Sequence, residues 1–111
     1  MADTIYLVQA DTAPQVKVIM TRSDTGAAED ITGATTKLHF RRKFTTELLF
    51  SVTGQSTPDE AAAGTAIFPF SSGQLDINAG EYEGEVEVVF QTGTRETIYE
   101  KLDFVLREDF A

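Results

Sequence analysis

The chain has 111 residues, a mass of 12.2 kDa, 41% apolar residues and a formal net charge of −9. This length suits one domain, residues 1–111, with a core of its own. The negative charge argues against nucleic acid and anionic membranes as partners, because affinity for both rests on an excess of Lys and Arg. The chain has no cysteine, which excludes thiol chemistry, and it shows no basic segment followed by the apolar run of an export signal.

Short alternating runs fill the first half of the chain. Thr4–Val8 predicts an edge strand, and Ala10–Pro14 ends it with residues suited to turns. Gln15–Arg22 and Ala34–Arg41 each alternate with a period of two, which predicts half-buried strands. Between them, we expect Ile31 to close one edge of the core.

The middle of the chain contains two further strands and a long connection. Glu47–Thr53 predicts a strand, and Thr65–Phe70 predicts another that lies at an edge or ends at its proline. Between them, Gly54–Gly64 has no useful period. We expect an exposed, mobile loop in which Pro58–Ala63 forms at most one helical turn.

The last third predicts one long antiparallel hairpin, Gly80–Phe110. Its first arm, Tyr82–Phe90, alternates apolar residues with glutamates, and Gln91–Thr94 supplies a short turn that contains Gly. The returning arm is marked by Ile98, Leu102, Phe104 and Leu106.

About seven short strands with little helical periodicity favour an all-β fold. We predict an immunoglobulin-like antiparallel β-sandwich with Greek-key connections. Its expected core residues are Val16, Val18, Leu38, Phe40, Phe50, Tyr82, Val86, Val88, Phe90, Leu102, Phe104 and Leu106.

Two rows of opposite charge lie on the outward faces of predicted strands. The basic row is Lys37, His39 and Arg41, and the acidic row is Glu83, Glu85 and Glu87. In an immunoglobulin-type sandwich these strands are neighbours, so we expect the rows to face each other as a charge ladder. Each exposed pair contributes only about 0.2 to 1 kcal/mol, so the expected role of the ladder is to set the strand register.

The sequence gives little support for a metal site or an active site. Alternate glutamates on a strand are about 7 Å apart, too far to share one Ca²⁺. The run from Asp76 through Asn78 to Glu87 imitates a calcium loop, but Glu81 stands where that loop requires Gly. His39 lies between two basic residues with no nucleophile arrangement suggested around it. We therefore expect no cofactor, no metal and no enzymatic activity.

Three short motifs are similar to those of a known family. They are Asp30-Ile31-Thr32-Gly33-Ala34, Gly80-Glu81-Tyr82-Glu83-Gly84-Glu85-Val86 and Phe104-Val105-Leu106-Arg107-Glu108-Asp109. From about Gln15 onward the chain resembles the immunoglobulin-like domain found at the start of phage baseplate upper proteins and in small tailed-phage virion proteins.

This resemblance implies a non-enzymatic structural protein of a tailed-phage virion, in the tail, the baseplate or as a capsid decoration. It implies docking on other virion structural proteins through sheet edges and loops, in multiple copies of a symmetric assembly, with host cytoplasm as the place of assembly. The candidate contact residues are Thr4, Ile5, Tyr6, Leu7, Arg42, Lys43, Phe44, Pro58, Asp59 and Glu60.

A second class of function remains open at this point: a module for host-surface glycan binding or adhesion. Such a module needs exposed aromatic residues beside a loop. Phe44 and Tyr99 are the two candidates for that role.

Overall fold

The computed structural model describes residues 4–21, 25–71, 73–97 and 101–109. These residues form short strands and one short helix. The elements are β1 (Thr4–Val8), β2 (Gln15–Ile19), β3 (Thr35–Arg42), β4 (Leu48–Thr53), α1 (Pro58–Ala62), β5 (Thr65–Pro69), β6 (Gly80–Val89), β7 (Arg95–Thr97) and β8 (Leu102–Arg107).

Two sheets pack face to face. The larger sheet has the order β1-β8-β6-β3-β4, with β7 paired to the far end of β6, and the smaller sheet pairs β2 with β5. The chain passes between the sheets after β1, β2, β4 and β5, which is a Greek-key connectivity. The fold is therefore an all-β, immunoglobulin-like β-sandwich, as the alternating runs predicted.

One pairing differs from the antiparallel arrangement that we expected. β1 runs parallel to β8, with Thr4 opposite Asp103 and Val8 opposite Arg107, so the larger sheet is mixed. Parallel strands require a long crossover connection, and here the whole intervening sandwich provides it. Alternation along a strand indicates which side chains face inward but carries no information on strand direction.

Tyr82 lies at the centre of the core. Its buried ring stacks on Phe40 with the ring centroids 5.2 Å apart, and its hydroxyl donates a hydrogen bond to the Asn78 carbonyl. This bond from the start of β6 back to the preceding corner is the tyrosine corner of immunoglobulin-type sandwiches. Phe40 also packs against Phe50 at 4.8 Å and Phe104 at 5.0 Å.

Gly84 lies in β6 two residues after Tyr82, at the position where antibody domains carry a disulfide cysteine. A Cβ atom at this residue would lie 2.8 Å from Leu38 Cδ1 and 2.9 Å from Phe104 Cε2. The two side chains therefore occupy the space that a larger residue would need. Leu38 and Phe104, which come from the two strands that flank β6, therefore meet over Gly84 within the larger sheet.

All twelve expected core residues belong to the core. Val18, Phe50, Phe90 and Leu102 are partly buried, and the other eight are buried. The core also contains Phe68, Phe70 and Leu75, which lie next to a proline or in a loop, where no alternation marks them. Ile31 is buried as expected.

The segment Gly54–Gly64 is mostly exposed, and its one short helix is the helical turn that we expected, but Ala61 and Gly64 are buried. Its helix α1 begins with a capping box, in which the Thr57 N–H donates to Glu60 Oε1 at 2.8 Å and the Glu60 N–H donates to Thr57 Oγ1 at 3.2 Å. The Ile31 N–H then donates to the carbonyl of buried Ala61 at 3.0 Å. These bonds attach the segment to the sandwich.

Two predicted strands differ in extent from those observed. The run Gln15–Arg22 yields a strand that ends at Ile19, and Arg22 lies outside the described residues. The returning arm of the long hairpin is divided into β7 and β8, and Ile98 lies outside the described residues between them. The turn is closed by a bond from the Phe90 N–H to the Thr94 carbonyl at 2.8 Å.

Replacing Phe104 by Ala tests the core. We expect a loss of about 3 to 5 kcal/mol in the free energy of unfolding, because the ring contacts both Phe40 and Phe70. Urea unfolding measures this free energy, and Ile19→Ala, at an exposed position, is the matched control. Equal urea midpoints for the two variants would contradict this core.

Candidate functional site

The two charged rows lie opposite each other on the outer face, which is the solvent-facing surface of the larger sheet. The register between β3 and β6 is Lys37 opposite Glu87, His39 opposite Glu85, and Arg41 opposite Glu83. The backbone ladder thus brings together the six residues that the alternation placed outward.

Ion pairs on the outer face use only part of this register. Arg41 Nη2 lies 2.6 Å from Glu83 Oε1, while His39 Nε2 reaches diagonally to Glu87 Oε1 at 3.4 Å. Arg95 also contacts Glu87, at 3.3 Å. Lys43 pairs with Asp103 at 3.4 Å, a partner that the sequence reading did not identify.

His39 has a neighbour that the sequence reading missed. Its Nδ1 atom lies 2.7 Å from the Ser51 hydroxyl, so that Ser51, His39 and Glu87 form a row across three strands. Such a row resembles a nucleophile, a base and a carboxylate, but acyl transfer also requires donors aimed at a developing oxyanion. The depression of about 150 Å³ at this place is lined by His39 but by neither Ser51 nor Glu87. The row is therefore interpreted as cross-strand hydrogen bonding that orients His39.

The connection from β3 to β4 carries the most exposed aromatic ring of the described residues. The hairpin tip is defined as Arg42, Lys43, Phe44, Leu48 and Leu49. Phe44 is 89% exposed and has a φ of +65°, which is unusual for a bulky residue.

Three hydrogen bonds fix the backbone around Phe44. The Lys43 N–H donates to the Glu81 carbonyl at 3.1 Å, which holds the turn to β6. The N–H and hydroxyl of Thr45 donate to the Arg42 carbonyl at 3.3 and 2.7 Å. The ring is thus held outward by a defined turn.

Two leucines at the start of β4 are exposed, and a register shift turns one of them outward. Between Phe40 and Arg41 the pairing with β4 slips by one residue, so Leu48 lies opposite Arg41 on the outer face. Leu48 is 53% exposed and Leu49 is 40% exposed. Strict alternation along Glu47–Thr53 predicts Leu48 on the same side as Phe50 and Val52, and this prediction is wrong because of the bulge.

The remaining candidate contact residues lie elsewhere. Tyr6 is 76% exposed on β1, at the opposite edge of the sheet from β4, whereas Leu7 is buried and Ile5 is partly buried. Pro58 and Asp59 are exposed on α1, and Glu60 is partly buried in the capping box. The ten residues therefore do not form one surface, and Leu7 faces the core.

The described residues contain no group of three or more His, Asp or Glu side chains placed to hold a metal ion. None of the described helices is long and apolar enough to cross a membrane. Tyr99, the second aromatic candidate for glycan binding, lies outside the described residues.

Comparisons with known proteins find a similar solved structure. No family model and no curated protein sequence matches the chain. Among solved structures, CopC from Methylosinus trichosporium OB3b is similar over 97% of this chain and 87% of its own, with 11% identity and a TM-score of 0.54. At this identity the likeness shows the fold alone.

This match overturns the expected role in a phage virion. A solved structure that matches nearly the whole chain is CopC, which points away from a virion component, and no family model or curated sequence links the chain to a phage protein. The prediction of a tailed-phage structural protein is therefore wrong. The resemblance of the three short motifs is not tested by these comparisons and stays a prediction of the sequence.

A double-mutant cycle tests the Arg41–Glu83 pair. Because both groups are partly exposed, we expect a coupling of about 0.5 to 1 kcal/mol that decreases at high salt. Urea unfolding of Arg41→Ala, Glu83→Ala and the double variant measures it. The matched cycle on Lys37 and Glu87, opposite in register, should give a smaller coupling. An equal coupling in both cycles would show that the observed ion pair has no special contribution.

Proposed function

We propose that this chain is a non-enzymatic protein-binding module that docks on a partner protein through its hairpin tip. The observation that carries the proposal is the conformation of Phe44, an aromatic ring held almost fully in solvent at a positive φ.

The backbone at Phe44 is unfavourable for the fold. A left-handed conformation costs a residue with a Cβ atom about 1 to 2 kcal/mol, and glycine or asparagine adopts it more readily. Burial offsets none of this cost, because the ring is exposed. Strained residues of this kind cluster at binding sites, where the surrounding structure holds them in place.

The surroundings of Phe44 have the composition of a binding hot spot. Arg42 is exposed, and its guanidinium carbon lies 5.4 Å from the centre of the Tyr82 ring. The exposed leucines Leu48 and Leu49 add apolar surface to the same tip. Aromatic and arginine side chains dominate the binding energy of protein interfaces, and apolar neighbours exclude water around them.

The first test compares two substitutions at Phe44. Phe44→Ala removes the ring but keeps the Cβ atom, so we expect its free energy of unfolding to stay within about 0.5 kcal/mol of the wild type. Phe44→Gly also removes the backbone strain of the positive φ, so this variant should be more stable than the Ala variant by about 1 kcal/mol. Urea unfolding decides between the outcomes. A loss of more than about 1 kcal/mol in the Ala variant would mean that the ring serves the fold instead.

The second test measures binding. Immobilised wild-type protein, Phe44→Ala and Ile19→Ala are exposed to an extract of the source cells, and retained proteins are quantified by mass spectrometry. We expect a partner whose retention falls about tenfold or more with Phe44→Ala, since a central anchor contributes 2 kcal/mol or more. Ile19→Ala should retain it fully, because Ile19 lies in the other sheet. Identical retention by all three proteins would refute the proposed docking site.

A further inference from the structure

The opposite edge of the larger sheet carries a second, independent feature. β1 pairs with β8 on one side only, and no described strand pairs with its other side. The Gln9 N–H donates to the Arg107 carbonyl at 3.0 Å, so odd-numbered residues of this segment face β8. The backbone groups of Thr4 and Tyr6 and the Val8 N–H therefore point to the open edge, while the Val8 carbonyl accepts a hydrogen bond from the Asp11 N–H at 3.3 Å.

This edge lacks the usual protection against strand pairing. Sheet edges are commonly blocked by a charged residue, a proline or a β-bulge. β2 has Lys17 at its centre, and β4 has the register shift at its pairing with Arg41. β1 reads Thr-Ile-Tyr-Leu-Val, with none of these features, and its Tyr6 is 76% exposed.

We propose that the open edge of β1 pairs antiparallel with β1 of a second copy of this chain, about a two-fold axis at Tyr6. This arrangement places Tyr6 opposite Tyr6 and Thr4 opposite Val8. Aromatic pairs and pairs of β-branched residues are favourable across strands, and no like charges face each other. The two larger sheets then become one continuous sheet, and the isologous contact closes after two copies.

Charges on the neighbouring strand fit the same arrangement. Asp103 lies beside Thr4, and Arg107 lies beside Val8. Antiparallel pairing therefore puts Asp103 of one copy and Arg107 of the other on the same rung, about 14 Å apart, whereas parallel pairing would put identical charges there. At that separation screening by salt makes the effect small. Two copies of a chain with a net charge of −9 repel each other. This repulsion is smallest where an uncharged strand such as β1 forms the contact.

Sedimentation velocity over concentrations up to about 1 mM tests the association, because a contact of this small size is weak. We expect a concentration-dependent shift from 12.2 kDa toward twice that mass. Tyr6→Lys places two lysines opposite each other and should weaken the dimer about tenfold. Ile19→Lys, at an apolar position in the other sheet that is 62% exposed, should have no effect. A wild type that remains monomeric throughout would overturn the proposal.

Cysteine cross-linking tests the register independently, because the chain has no cysteine of its own. Directly opposed residues have Cα atoms about 5.5 Å apart, within the range that a disulfide spans. Tyr6→Cys should form a disulfide-linked dimer under mild oxidation about tenfold faster than Ile19→Cys. Equal rates would contradict the two-fold axis at Tyr6. Neither result bears on Phe44, which lies toward the other edge of the sheet, so this proposal and the proposed function can fail separately.

Discussion

The buried ring of Tyr82, with its hydroxyl bonded to the Asn78 carbonyl, is the constraint on which the rest of the sandwich depends. A phenol placed in a core must find a hydrogen-bond acceptor, because an unpaired buried hydroxyl is costly. Here the acceptor is the carbonyl of Asn78, two residues before β6 begins at Gly80. This hydrogen bond sets where β6 begins, and β6 in turn pairs with β3, β7 and β8.

The positions of the outer face and the hairpin tip depend on β6. Because Tyr82 lies opposite Arg42, the register places the glutamates of β6 opposite the basic residues of β3. Gly84 allows the side chains of Leu38 and Phe104 to meet across β6. The Arg42 guanidinium lies over the Tyr82 ring, and the Lys43 N–H bonds to the Glu81 carbonyl. The position of Phe44 in solvent thus follows from the same strand that closes the core.

Features that depend on a period of two were predictable from the sequence, and features that depend on backbone geometry were not. Alternation in β3 and β6 predicted the inward residues of these two strands. The opposed charged rows followed from it once the two strands were taken as neighbours in an immunoglobulin-type sandwich. Three features could not be read from the residue pattern, because none of them changes the alternation of apolar and polar residues. They are the bulge that turns Leu48 outward, the parallel pairing of β1 and the positive φ of Phe44. The capping box at Thr57 and Glu60 was visible in principle, since a Thr followed three residues later by Glu is a helix-start signal. The function inferred from short turn motifs failed, because such motifs report the fold and not the site.

The free energy of unfolding of Tyr82→Phe tests the central claim most directly. The variant keeps the ring and its stacking on Phe40 but leaves the Asn78 carbonyl without its donor. We expect a loss of about 1 to 2 kcal/mol, while Tyr6→Phe, whose hydroxyl belongs to an exposed side chain, should match the wild type. If Tyr82→Phe unfolds at the same urea concentration as Tyr6→Phe, the tyrosine corner does not organise this sandwich.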